Sequence, residues 1–124
     1  MPTVATYYQL ADDEFSLAVG DNRMLTQSVG VAPAGGEGAL VTWMARRVGR
    51  RPNTAGTVTY TVTLNGNPLG TGPYSRSSRE PITIQEATPI GAVNQGTNRL
   101  VFTVTDGTGA LRLSAVVLWV RLNV

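Results

Sequence analysis

The last quarter of the chain, residues 98–124, constrains the fold more than any other stretch. Apolar residues alternate at Leu100, Phe102 and Val104, and the chain reverses through the Asp-Gly-Thr-Gly sequence of residues 106–109. A second apolar run then continues to the last residue. Two alternating runs on either side of a glycine-containing reversal are typical of a β-hairpin. The sequence therefore predicts two long strands joined by a tight turn.

The final strand divides into two faces, because successive side chains of a strand point in opposite directions. One face is wholly apolar and is expected to face the core: Val116, Leu118, Val120, Leu122 and Val124. The other face begins with Val117 and Trp119 and becomes polar at Arg121 and Asn123. Its apolar part needs a cover, which we expect to be either a loop of the same chain or a neighbouring subunit.

The rest of the chain is also a succession of short strands separated by Gly, Pro, Asn and Asp. Such spacing, without the apolar period of a helix, is typical of an all-β antiparallel sandwich with about eight strands and a jelly-roll-like arrangement. At 124 residues the chain is expected to form one domain, residues 1–124. The predicted strands are 4–10, 14–19, 24–31, 39–48, 57–64, 81–86, 98–105 and 110–123.

Composition excludes most kinds of chemistry. The chain has no Cys and no His, so disulfides, thiolate metal sites and the commonest general base are all missing. The only clustered carboxylates, Asp12, Asp13 and Glu14, alternate in direction along an extended segment and do not form an oxygen cage. We therefore expect no enzyme activity, no metal site and no cofactor. The formal charge of +2 is too small to indicate nucleic-acid binding.

The second half of the chain resembles the galactose-binding-like jelly rolls of carbohydrate-binding modules and of some phage and tail proteins. The resemblance rests on TVTYTVTLNGNPLGT at residues 57–71, PITI at 81–84 and GTNRLVFTVTDGTGALRLSAVVLWVRLNV at 96–124. The shared features are a strand that ends in Asn-Gly, a strand with the pattern G-x-N-x-L-x-F and a long closing strand. It implies a jelly-roll sandwich and a sugar ligand, and in many family members a calcium site and loop aromatics.

Four arginines fall close together in the sequence RRVGRRPN, at the predicted tip of a hairpin. Planar guanidinium groups bind carboxylates, phosphates and sulfates through paired hydrogen bonds. We expect this group either to bind an acidic protein surface, a sulfated glycan or a phosphate, or only to keep the hairpin end soluble. Nucleic acid is the less favoured partner, because no aromatic residues alternate with the arginines. The group comprises Arg46, Arg47, Arg50 and Arg51.

Three further positions have two interpretations each. Trp43 and Trp119 lie on partly apolar faces, so each packs in the core or contacts another subunit, and Arg121 accompanies Trp119 in the second case. Tyr74, with Arg76 and Arg79, lies in a polar loop, where an aromatic ring flanked by donors suits a sugar. The same tyrosine equally suits a cover over the end of the sandwich.

These observations favour a structural or assembly subunit that acts through protein contacts with like or unlike subunits, for example a virion or tail-associated decoration protein. The alternative is a lectin-like carbohydrate-binding module. The first residues have no basic region followed by an apolar run, so we expect synthesis in the cytoplasm without a signal peptide, with possible incorporation into a particle. The sequence has no run of 18 apolar residues, so we expect no membrane insertion.

Overall fold

The structure is a computed structural model that describes residues 3–34, 38–49 and 55–123. Within these residues the chain forms strands and no helix, and so no helix long and apolar enough to cross a membrane. The all-β prediction is confirmed, and each of the eight predicted strands corresponds to an observed one. Two short strands, β6 and β7, were not predicted. The strands are β1 Thr3–Ala11, β2 Phe15–Ala18, β3 Asn22–Val29, β4 Leu40–Val48, β5 Val58–Leu64, β6 Asn67–Pro68, β7 Tyr74–Arg76, β8 Ile82–Ala87, β9 Gly96–Gly107 and β10 Ala110–Asn123.

The strands form two antiparallel sheets of five. The β10 sheet has the order β1-β10-β4-β8, with β2 beside the first part of β10 where β1 no longer runs. The β9 sheet has the order β3-β9-β5-β6, with β7 also beside β5. The two sheets pack face to face around one apolar core, so the described residues form a β-sandwich.

The last two strands do not form the predicted hairpin. Strand β9 pairs with β3 and β5, whereas β10 pairs with β1, β2 and β4, so the reversal carries the chain from one sheet to the other. The reversal is sharp because Gly107 and Gly109 have φ angles of 120° and 91°. A Cβ atom on Gly107 would lie 2.1 Å from the Thr57 carbonyl oxygen. Local patterning located the turn, but the choice of pairing partner depends on the whole sandwich.

The core follows the predicted alternation. Along β4, Val41, Trp43 and Ala45 are buried while their neighbours are partly exposed. Trp43 is therefore a core residue, and its Nε1–H donates to the Tyr60 hydroxyl of the opposite sheet at 3.1 Å. Burial raises the pKa of Tyr60 to about 12. This hydrogen bond between two buried side chains joins the two sheets.

Strand β10 contains a β-bulge that shifts its alternation by one residue. Leu111 and Leu113 are buried before the bulge, and the even-numbered residues from Val116 to Leu122 are buried after it. The pairing with β4 shifts between Ser114 and Val117, and Ala115 has a φ angle of +50°. Because of the bulge, Trp119 and Arg121 point to the outer face while both halves of β10 contribute to the core.

Asn98, the asparagine of the G-x-N-x-L-x-F strand, is buried and holds the loop that precedes β9. Its Oδ1 accepts hydrogen bonds from Asn65 Nδ2 and Asn94 N, both at 2.8 Å. Its Nδ2 donates to the carbonyl oxygen of Asn94 at 2.8 Å. Asn65 in turn donates to the carbonyl oxygen of Ala92 at 2.8 Å. These bonds fix residues 92–98 against the turn after β5.

We predict that Asn98→Ala lowers the free energy of unfolding by about 2–4 kcal/mol, because it removes a buried side chain and leaves several of its partly buried partners without hydrogen bonds. Urea denaturation followed by tryptophan fluorescence measures this change. Asn22→Ala, at an exposed position on β3, is the control and should remain within about 0.5 kcal/mol of the parent chain. An Asn98→Ala variant as stable as this control would contradict the structural role of the network.

Candidate functional site

Two exposed aromatic side chains, Tyr7 and Trp119, lie side by side on the outer face of the β10 sheet. They are directly opposite each other in the pairing of β1 with β10. Their ring centroids are 5.3 Å apart with an interplanar angle of 40°. Tyr7 is 61% exposed and Trp119 is 43% exposed. We call this pair the platform, because it presents two contiguous aromatic surfaces to solvent.

The indole of Trp119 is held in place from the neighbouring strand. Its Nε1–H donates to the Thr42 hydroxyl of β4 at 3.0 Å. The hydrogen bond fixes the ring orientation and satisfies its one polar atom. A ligand on the platform therefore meets mainly the apolar surface of a ring that is already oriented.

A groove of about 310 Å³ runs beside the platform. Its walls combine aromatic and aliphatic surface with one guanidinium group, that of Arg121. Cavities of this size with mainly apolar walls and few polar groups are typical of small-molecule sites. The lining residues are Ala5, Thr6, Tyr7, Gly38, Ala39, Leu40, Trp119, Val120 and Arg121.

The predicted arginine group is divided between the two faces of the β10 sheet. Arg46 lies on the outer face, where its Nε and one terminal nitrogen each donate to Glu14 at 2.7 Å. Arg112 approaches the same carboxylate at 3.6 Å. These hydrogen bonds, together with the arginine charges, hold the pKa of Glu14 below its ordinary value.

Arg47, one residue later, lies on the inner face and is buried. Its Nε donates to the carbonyl oxygen of Thr108 at 2.8 Å, and a terminal nitrogen approaches the Thr108 hydroxyl at 3.2 Å. The two remaining arginines of the predicted group, Arg50 and Arg51, lie outside the described residues. Strands β4 and β5 belong to different sheets, so the segment between them is not the tip of a hairpin. As candidate partner-binding residues, the four arginines remain a prediction.

Tyr74, on β7, packs against aromatic side chains of the core. Its ring lies edge-on to Trp43, with centroids 5.4 Å apart, and stacks on Tyr60 at the same distance. Its hydroxyl donates to Glu86 Oε1 at 2.5 Å, and burial raises its pKa. Arg76, also on β7, donates to the carbonyl oxygen of Glu80 at 2.8 Å, and Arg79 is exposed. Tyr74 is thus partly buried against the core, and the sugar-binding role of Tyr74, Arg76 and Arg79 remains a prediction.

No metal centre is found in the part of the chain that the structure describes, because no three acidic side chains there come together around a common point. Glu14 is engaged by arginine on the outer face, and Glu86 by Tyr74 between the sheets. The described residues thus contain no cluster of three acidic side chains of the kind that could form the calcium site implied by the sequence resemblance.

Sequence patterning identified Trp119 and Arg121 but not Tyr7, which completes the platform. Tyr7 is followed by Tyr8, and only the first of the two points outward. The pairing that brings Tyr7 opposite Trp119 joins strands from the two ends of the chain. The only sequence signal for Tyr7 was the alternation within β1. Alternation assigns a side chain to one face of its strand, but it does not identify the residue that lies opposite on the neighbouring strand.

No protein-family model and no curated protein matches this chain. Solved structures do match. Dimeric latent PorU from Porphyromonas gingivalis gives a TM-score of 0.66 at 10% identity, covering 98% of this chain and 13% of that chain. A β-porphyranase of glycoside hydrolase family 86 from the human gut bacterium Bacteroides plebeius gives 0.65 at 17% identity, covering 97% and 21%. The chain therefore spans only a small part of either protein.

A carbohydrate-binding module, CBM36 in complex with calcium and xylotriose, matches over nearly its whole length. The TM-score is 0.51 at 11% identity, and the match covers 95% of this chain and 98% of that chain. The chain therefore has the galactose-binding-like β-sandwich fold of carbohydrate-binding modules. The fold predicted from the second half of the sequence is confirmed and extends to the first half.

We predict that the Glu14–Arg46 contact contributes to stability only when Glu14 is ionised. Because the folded-state pKa of Glu14 is lowered, the contribution is present above the unfolded-state pKa and is lost as the pH falls through the folded-state value. Glu14→Gln should cost no more than about 1 kcal/mol near pH 7, since the pair is partly exposed to solvent. Urea denaturation across the acidic range should show the two chains converging, and a difference independent of pH would contradict the assignment.

Proposed function

We propose that this chain is a non-catalytic carbohydrate-binding module that holds a glycan against the Tyr7–Trp119 platform. The observation that carries the proposal is the geometry of the platform: two exposed rings at a fixed angle, beside a groove with a mainly apolar lining and a single guanidinium. A pyranose ring has an apolar C–H face and a polar rim of hydroxyls. The face packs on aromatic surface, and the hydroxyls reach polar groups at the edge of the groove.

The two rings of the platform lie next to each other, with centroids 5.3 Å apart, and their tilt of 40° means that they do not form one flat stacking surface. The indole nitrogen is already bonded to Thr42, so stacking leaves no buried donor unsatisfied. The platform is thus prepared for a ligand before the ligand arrives, which lowers the entropic cost of binding.

The comparisons support this proposal at the level of the fold. One match that covers nearly the whole of both chains is a carbohydrate-binding module described in complex with xylotriose. Another match is part of a β-porphyranase of glycoside hydrolase family 86.

The expectation of a virion or tail-associated subunit receives no support from these matches, because none of the three solved structures named above is described as a virion protein. Trp119 and Arg121, which the sequence offered as protein-contact residues, both line the groove. We therefore place them in the proposed glycan site and retain protein contact at this surface as the competing interpretation.

We predict that Trp119→Ala weakens glycan binding at least roughly tenfold, because a central aromatic anchor contributes on the order of 2 kcal/mol or more. Affinity electrophoresis against soluble xylan, glucomannan, galactan, porphyran and mixed-linkage glucan identifies the ligand, and titration calorimetry measures the loss. Met24→Ala is the matched control, because Met24 is also an exposed apolar residue but lies on the β9 sheet. Equal losses in both variants, or no binding by the parent chain, would refute the proposal.

We predict that the chain is monomeric in light scattering at the highest attainable concentration, because a glycan and not a second subunit covers the platform. Trp119→Ala should leave the molar mass unchanged. A parent dimer that Trp119→Ala converts to a monomer would contradict this prediction and favour the protein-contact interpretation.

A further inference from the structure

A second, more enclosed cavity adjoins the groove at the end of the sandwich. Its volume is about 140 Å³, and Gly38, Ala39, Val120 and Arg121 line both spaces. We call it the end cavity. Residues 33, 34, 38 and 39 line it on one side, and residues 88–91 and 93 line it on another. The groove beside the platform and the end cavity are therefore neighbours that share lining residues.

The lining of the end cavity is mainly aliphatic, with Thr88 and Arg121 as its polar side chains. Ala34, Ala39, Val93 and Val120 are buried, and Ile90 forms an exposed lip. An apolar cavity of about 150 Å³ is large enough to hold a benzene molecule. The end cavity thus has room for a substituent of a few heavy atoms. A second sugar ring does not suit it, because the ring's hydroxyls would be buried without partners.

Thr88 supplies the one neutral side-chain donor in the lining. Its Oγ1 accepts a hydrogen bond from the Ala39 backbone N–H at 3.0 Å. A hydroxyl accepts and donates at the same time, so this bond leaves the Thr88 proton available for an acceptor. Aliphatic walls with a hydroxyl donor from Thr88 and the Arg121 guanidinium at the side shared with the groove match a group that has a methyl and a carbonyl oxygen.

The walls are held in place by bonds to neighbouring elements. Ala34 N donates to the carbonyl oxygen of Arg121 at 2.8 Å, which fixes one wall to β10. Thr88 N donates to the carbonyl oxygen of Ala39 at 2.8 Å, which joins the two walls. The Asn65 side chain holds the carbonyl oxygen of Ala92 at the far side. The cavity is therefore preformed, because hydrogen bonds within the fold hold its walls in place without a ligand.

From this geometry we infer that the ligand is an O-acetylated glycan, with a sugar on the platform and its acetyl group in the end cavity. The methyl packs against Ala34, Ala39 and Val93, and the ester carbonyl accepts the Thr88 hydroxyl proton. The inference rests on the proposed glycan-binding function and narrows it to acetylated polysaccharides. An unacetylated chain would stack on the platform but leave the cavity unfilled.

The test compares native O-acetylated xylan and glucomannan with the same samples deacetylated by mild alkali, using titration calorimetry on the full chain. We expect the acetylated form to bind at least roughly tenfold more tightly than the deacetylated form. Filling an apolar pocket with about one additional methylene group gives discrimination of this order. Ala34→Leu fills the cavity and should abolish this preference while retaining the weaker binding of the deacetylated form. Trp119→Ala should weaken binding of both forms.

Ile90→Ala is a second variant that does not depend on the buried core, because Ile90 is 70% exposed at the lip. It should reduce the preference for acetylated glycan without affecting folding. Equal binding of both forms by the parent chain, with loss of both in Trp119→Ala, would overturn the acetyl inference and leave the proposed function standing. Binding of another polysaccharide but of neither acetylated one would also overturn it. No glycan binding at all would overturn the proposed function itself.

Discussion

Strand β10 is the element on which the other parts of the structure depend. It pairs with β1, β2 and β4, it provides core side chains along its whole length, and it carries Trp119 and Arg121 on its outer face. These roles are compatible only because the bulge at Ala115 shifts the alternation by one residue. Without that shift, the apolar residues on one side of the bulge would face solvent and Trp119 would change sides. The proposed binding surface and the core are therefore both determined by this bulge.

The end of the molecule that carries the cavity depends on hydrogen-bonded asparagine side chains as well as on apolar packing. Asn65 and Asn98 bond to each other and to backbone groups at residues 92, 94 and 99, so the loop before β9 is held without a helix or a disulfide. Buried polar groups of this kind stabilise one loop conformation only when their hydrogen bonds are satisfied. This explains in physical terms why the asparagines of the Asn-Gly and G-x-N segments accompany this arrangement of strands.

Properties that follow from neighbouring residues were predictable from the sequence, and properties that follow from distant pairing were not. Alternation located the strands and the core face of residues 116–122, and it placed Trp119 on the opposite face of its strand. It left open whether Trp119 is buried in the core or contacts another subunit. It did not reveal that β9 and β10 belong to different sheets, because a glycine turn looks the same within a sheet and between sheets. Alternation also placed Arg46 and Arg47 on opposite faces of their strand. It nevertheless gave both residues the same predicted role, because it did not show that Arg47 is held by hydrogen bonds inside the sandwich. The platform itself required the pairing of residue 7 with residue 119, which no local pattern encodes.

The distribution of polar groups explains why a sugar suits the platform better than a nucleic acid or an acidic protein. Phosphate recognition needs several guanidinium groups beside the stacking rings. Here Arg46 is bonded to Glu14 and Arg47 is buried beneath the sheet, so among the described residues Arg121 alone lines the groove. With the indole nitrogen bonded to Thr42, the surface is apolar in the middle and polar at one rim. That distribution matches a ligand whose faces are hydrocarbon and whose edges are hydroxyl, and the rings need no rearrangement to receive it.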